Sequence, residues 1–155
     1  MRALFVQHDH VSPTGPVSAR LRERGFDVDE ILVVDEGNFA TPNVDFEFPD
    51  ASDYDLIVPM GAPWGAWDDA CIGKWLLPEI DWVRSAIDRD IPVLGICFGG
   101  QLMARALGGT VARDIYPDRI VIYQDTLERD FGHDPALLRA QVQRTVRHEL
   151  AHHLG

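Results

Sequence analysis

The chain has 155 residues, of which 46% are hydrophobic and 25% charged, a balance that excludes collagen-like, fibrous and disordered classes. With 14 basic residues against 25 acidic ones the net charge is −11, which argues against nucleic acid or an anionic membrane surface as the main partner. There is no apolar run near the roughly 20 residues of a membrane helix, no signal-peptide pattern opens the chain, and two cysteines make no disulfide framework, so the expectation is one cytoplasmic protein with reduced thiols.

Residues 3–8 (ALFVQH) form a short apolar run rich in strand formers and predict a buried strand. Pro16 to Gly25 carries Val17 and Leu21 among charges and predicts a short amphipathic helix, stopped by Gly25. Val28 to Val34 predicts a second strand. Asp35 to Asp53 is acidic and aromatic, holds Pro42 and Pro49, and reads as a loop. Asp55 to Met60 predicts a third strand, ending in Gly61-Ala62-Pro63-Trp64-Gly65. Lys74 to Asp88 places Trp75, Leu76, Ile80, Val83 and Ile87 at helical spacing. Ile91 to Ile96 predicts a fourth strand, Phe98 to Leu107 a helix closed by Gly108-Gly109, and Thr110 to Ala112 a short strand. Strands alternating with helices indicate βαβ units and a parallel sheet. The texture changes near Arg113: Arg119 to Gln124 is strand-like, and Pro135 to Leu154 predicts a long helix with Asp134 at its cap. The apolar stripe of that helix is Leu138, Val142, Val146, Leu150 and Leu154.

Gly95-Ile96-Cys97-Phe98-Gly99-Gly100 is a G-x-C-x-G arrangement between a strand and a helix. It has the form of a nucleophile elbow with sulfur in place of oxygen. Such a turn presents Sγ at the carboxyl edge of the sheet, where open α/β folds bind ligands. The helix N-terminus that follows favours a thiolate, and the Phe98 N–H is placed to meet a developing oxyanion. A buried structural cysteine is the alternative for a lone Cys after an apolar strand.

On these segments, ALFVQH, DLIVPMGAPWG and above all PVLGICFGGQLMARALGG, residues 1–113 resemble the front half of a class I glutamine amidotransferase domain. The resemblance implies that Cys97 attacks the side-chain amide of glutamine and forms a thioester. It implies that Gln101 helps hold glutamine, and that the Gly61-Ala62 loop and the Phe98 N–H form the oxyanion hole. The family's usual Gly-Gly-Pro is here Gly61-Ala62-Pro63. Trp64 and Trp67 read as packing or pocket wall. The family's downstream catalytic His and Glu have no match after Arg113, and a cysteine nucleophile needs a base. His8 or His10, following the first strand, are weighed as substitutes, against their being plain loop histidines.

His148-Glu149-Leu150-Ala151-His152 is an H-E-x-x-H motif within the predicted helix. The i, i+4 spacing brings both imidazoles within reach of one zinc, with Glu149 beside them as general base for a zinc-bound water. Both histidines lie roughly opposite the apolar stripe. An exposed polar helix face is the bland alternative. Through PDRIVIY, LERDFG and VRHELAHHLG, residues 117–155 resemble the carboxyl part of a small bacterial zincin-like metallopeptidase family. That resemblance makes His148 and His152 zinc ligands and Glu149 the base. The family's further ligand would follow the helix, so the third ligand is expected to be missing, with His153, His133 and Asp134 poor substitutes.

The expected organisation is therefore a glutamine amidotransferase-like segment, 1–113, joined to a zincin-like segment, 114–155. The expected fold class is α/β: an incomplete parallel sheet, flavodoxin-like and class I glutamine amidotransferase-like, with an appended strand and a long C-terminal helix. Three functions compete: a glutamine amidotransferase-like hydrolase acting through Cys97, a zinc metallopeptidase acting through Glu149, and a non-catalytic binding or regulatory remnant. The implied partners are glutamine or a peptide. A second copy or a partner subunit is expected to cover the sheet edge that an incomplete domain leaves open.

Overall fold

A computed structural model of the protein describes residues 1–111 and 134–143. The chain divides into two compact units, Met1–Arg113 and Asp114–Gly155. In the first, the order is β1 (Arg2–Asp9), α1 (Gly15–Glu23), β2 (Asp27–Val34), β3 (Leu56–Pro59), α2 (Asp69–Asp88) and α3 (Phe98–Ala106). The three strands form one parallel sheet in the order β2-β1-β3. The fold is α/β and flavodoxin-like, as expected.

The apolar run at the start of the chain becomes the central strand because both faces of the sheet are covered. Alternation along β1 divides the core in two. Leu4 and Val6 face Trp75, Leu76, Ile80 and Val83 of α2 and Phe98 and Leu102 of α3. Ala3 and Phe5 face Val58 and Met60, with Val17 and Leu21 of α1 packed against them. His8 continues the Leu4–Val6 side of the period-2 pattern, which puts an imidazole beneath α2.

The sheet departs from expectation at its fourth position. Residues 91–96 run beside β3 and exchange hydrogen bonds with it: Ile57 N–H to Pro92 O at 3.0 Å, Leu94 N–H to Ile57 O at 2.9 Å and Ile96 N–H to Pro59 O at 2.9 Å. Only one bridge forms, Ile57 with Val93. Pro59 has no N–H to donate back, so the ladder loses the bond that would have continued it. Thr110 and Val111 are not strand, and Ala112 and the strand expected over 119–124 lie outside the described residues.

Helix α2 starts five residues earlier than its apolar periodicity suggests. Its first turn carries Ile72 as the sole buried apolar side chain, too little for a periodic signal. The Asp35–Asp53 loop contains two single 3₁₀ turns, Glu36–Asn38 and Ala51–Asp53, each opened by an aspartate accepting a backbone N–H. Between them the chain is strapped along α2. The Trp75 indole donates to Pro42 O at 2.9 Å and the Trp82 indole to Pro49 O at 2.8 Å. Seven residues are two helical turns, so both indoles leave the same side of α2.

Of the second unit, residues 135–143 are helical. Asp134 caps them as expected: its Oδ1 accepts from Ala136 N–H at 2.9 Å and Leu137 N–H at 3.2 Å, and its carbonyl accepts from Leu138 N–H. The remainder of that predicted helix, with His148, Glu149, His152 and His153, lies outside the described residues, as does His133. Among the described residues no helix is long and apolar enough to cross a membrane.

Candidate active site

The carboxyl ends of β1, β3 and the 91–96 segment meet at one edge of the sheet, where a parallel α/β sheet presents its ligands. Cys97 occupies the turn between segment 91–96 and α3 with φ 54° and ψ −110°. A positive φ is strained for a side chain with a Cβ, of the order of 1–3 kcal/mol, and such strain gathers at functional sites. The flanking glycines are required by contact. A Cβ on Gly95 would lie 2.5 Å from Gly99 O, and one on Gly99 would fall on the Pro59 carbonyl. The elbow is tied to β3 by Gly99 N–H donating to Met60 O at 3.1 Å. Within the elbow, Gly95 N–H donates to the Met103 thioether at 3.1 Å. The result is an exposed thiol at the start of a helix.

Gly61 comes against this thiol: a Cβ built there would sit 3.8 Å from the Cys97 Cβ. The expected oxyanion residues Gly61, Ala62 and Phe98 are thus gathered around Cys97. Among the described residues neither the Ala62 nor the Phe98 N–H is taken by a backbone acceptor. Gln101 is in the same place with its Oε1 accepting from Ala66 N–H at 3.2 Å, so it holds the loop after Gly61. Arg105, one turn further along α3, donates to Ala66 O at 2.6 Å and pairs with Asp69. Trp64 packs with Phe39 and Trp75. Trp67 lines a pocket of about 330 Å³ with Asp69, Arg105, Gly109, Thr110 and Val111. Both tryptophans are pocket wall or packing, as read from the sequence.

The substitute bases fare differently. His8 is fully buried. Its Nδ1 lies 3.2 Å from Gly61 O, and its Nε2 lies 3.0 and 3.2 Å from the two carboxylate oxygens of Glu79. With both ring nitrogens engaged, it has no lone pair for the Cys97 thiol, and the idea of His8 as base is corrected. A carbonyl oxygen only accepts, so Nδ1 carries the proton and donates to Gly61. Burial works against the imidazolium, but the charge and hydrogen bond of Glu79 outweigh it and hold the His8 pKa above its ordinary value. His10 packs edge-on against Phe39, and its buried Nδ1 meets no hydrogen-bond partner among the described residues.

Glu79 escaped the sequence reading. It is fully buried and lies among Ile72, Trp75, Leu76, Ile80 and Val83 on the buried side of α2. A carboxylate inside an apolar helical stripe was the available signal, since acidic residues are almost never buried without a partner.

The family model of peptidase C26 matches residues 77–153. The chain is 40% identical over 100 residues to the glutamine amidotransferase-like protein chyE of Penicillium rubens, covering 63% of this chain and 40% of that protein. The chain is thus similar to class I glutamine amidotransferase-like proteins. It is also 38% identical over 107 residues to γ-glutamyl peptidase 4 of Arabidopsis thaliana, covering 62% of this chain and 41% of the relative. The crystal structure of a glutamine amidotransferase from Thermotoga maritima superposes with a TM-score of 0.60 at 25% identity, over 84% of this chain and 56% of that one. The chain spans about two fifths of the length of these curated relatives. The match to residues 77–153 runs across the segment read as zincin-like, and the comparisons give that reading of 117–155 no support. Among the described residues there is no group of three metal-ligating side chains.

Proposed function

We propose that the amidotransferase-like domain is a cysteine hydrolase of the glutamine amidotransferase kind, with the γ-carboxamide of glutamine as substrate. The single observation that carries this is Cys97 held at positive φ, exposed, and facing the Gly61 loop. The Cys97 thiolate attacks the amide carbon, and the C=O electron pair moves to oxygen. The Ala62 and Phe98 N–H groups donate to that oxyanion as a pre-set hole. The amide nitrogen takes up a proton as the tetrahedral adduct collapses and the C–N bond breaks, so that it leaves as ammonia and a thioester remains on Sγ. Water then hydrolyses the thioester to glutamate and the free thiol. Gln101 keeps the loop over the nucleophile and sits where the substrate enters.

His8, with both ring nitrogens engaged, is not free to be the proton carrier that this cycle needs, and a partner subunit or a second copy is one source. The test is labelling with a chloroketone analogue of glutamine, followed by peptide mapping. Stoichiometric modification of Cys97, blocked by excess glutamine, is the expected result. A thiol that reacts with iodoacetamide but ignores the glutamine analogue would sink the reading.

A second reading rests on the sequence of residues 148–152. The i, i+4 spacing of His148 and His152, with Glu149 between, suits a zinc ion and an activated water. About one equivalent of zinc per chain, lost in His148→Ala, supports it. Metal-free protein purified without chelator removes it.

A further inference from the structure

We propose that His8 and Glu79 form a buried positioning pair that orients the Gly61–Ala62 peptide as an oxyanion-hole donor. The proposal rests on the Cys97 reading above and assigns to it two residues that the nucleophile motif does not contain. The chain of contacts is short. Glu79, on α2, holds Nε2 of His8, and Nδ1 of His8 donates to Gly61 O at 3.2 Å. A trans peptide is planar, with its C=O and following N–H pointing in opposite directions. Anchoring the Gly61 carbonyl toward the core therefore turns the Ala62 N–H outward, to the side where the exposed Cys97 lies. Glycine at 61 would otherwise leave this peptide free to rotate.

The imidazole is itself held. It stacks on Trp75 at 5.5 Å and meets the Phe98 ring edge-on at 4.7 Å. Phe98 supplies the other expected oxyanion donor, so one ring touches both halves of the hole. Burial also favours a positioning role over a stabilising one. His8 and Glu79 are both completely removed from solvent, and two charges taken out of water recover their desolvation cost only with good geometry. A pair of apolar side chains would fill the same space at less cost. What an apolar pair cannot do is hold a carbonyl.

The experiment compares wild type, His8→Phe and His8→Asn in the full chain. Phenylalanine keeps the ring and removes the donor, whereas an asparagine amide can still donate to Gly61 O. Glutamine hydrolysis in His8→Phe is expected to lose about 10- to 100-fold in kcat with KM within about twofold, since removing an oxyanion donor costs on the order of 10²–10³. His8→Asn should recover most of that loss. Iodoacetamide alkylation of Cys97, which builds no oxyanion, should keep its rate in both. The structural readout is the Ala62 amide cross-peak in ¹H–¹⁵N spectra, displaced in His8→Phe and returned toward wild type in His8→Asn.

An Ala62 amide unmoved in His8→Phe overturns the proposal, as does equal loss in hydrolysis and alkylation. Wild-type Cys97 inert to the glutamine analogue, with the Ala62 amide still displaced in His8→Phe, would instead remove the glutamine reading and leave the peptide anchoring supported. Should His8→Phe fail to fold, Glu79→Gln keeps the side-chain volume, weakens the hold on His8 and is read the same way.

Discussion

The two sides of the proposed oxyanion hole are built by different means. The Cys97–Phe98 backbone is set by two glycines, one strained residue and a helix start packed on β3, with the Phe98 ring also meeting His8. The Gly61–Ala62 side is remote: its carbonyl is held by His8, 53 residues away, and His8 is held by Glu79, 71 residues from it. A backbone turn can place one donor by steric exclusion. A second donor facing it needs a strut from elsewhere in the fold, and here the strut is a buried pair of ionisable groups. Local exclusion tolerates no added Cβ, whereas the remote strut tolerates no lost partner.

That difference can be broken from either side. The largest effect expected is chemical. Cys97→Ala should drop glutamine hydrolysis to background, on the order of 10⁴-fold or more, with thermal unfolding little changed because the thiol is exposed. Retained activity would move the nucleophile elsewhere.

Next comes the remote strut. Glu79→Ala strands His8 in the core and should cost about 3–5 kcal/mol in denaturant unfolding, the usual result of breaking a buried pair from one side. The same pair has a pH signature. The His8 pKa is raised in the folded chain, so its contribution is complete below the ordinary histidine value and lost as pH rises through the folded one. Wild-type stability should therefore fall toward alkaline pH more steeply than that of His8→Asn. Parallel profiles for the two proteins would mean the imidazolium is absent.

The local side should give less in stability. Gly99→Ala pushes a methyl group against the Pro59 carbonyl, an overpacking cost of about 1–3 kcal/mol, and should also slow Cys97 alkylation as the elbow shifts. An alanine accepted without change in either measurement would show that the turn relaxes. The smallest effect is expected far from both sides. Trp82→Phe removes the bond to Pro49 O and should cost about 0.5–1.5 kcal/mol with kcat unchanged, which makes it a control for general destabilisation.

Legibility followed the same division. Cys97, Phe98 and the flanking glycines were readable because an elbow is spelled out in six consecutive residues. The Gly61–Ala62 loop was readable through family resemblance and its place after a strand. His8 reads from the sequence as a substitute base or, against that, a plain loop histidine; its buried place on β1 beneath α2 was not legible, because one strand shows which residues share a face and not what packs on that face. Glu79 was passed over because the helical stripe around it satisfied the periodicity without it. The strap between the two 3₁₀ turns had no period to find: its order comes from two tryptophans on α2 donating to Pro42 and Pro49.

By itself the sequence determined the alternation of strands and helices, the central place of residues 3–8, the helix stop at Gly25 (φ 85° in the structure) and the elbow at Cys97. Each of these rests on interactions within a few residues or on a repeat of two or 3.6. Only the tertiary structure decided that Pro59 cuts the fourth strand to a single bridge, that His8 is a strut and not a base, and that Glu79 is its anchor. These depend on which distant groups meet where water is excluded. Spacing along a chain carries no record of such a meeting, but burial makes every unpaired donor or charge there too costly to leave alone.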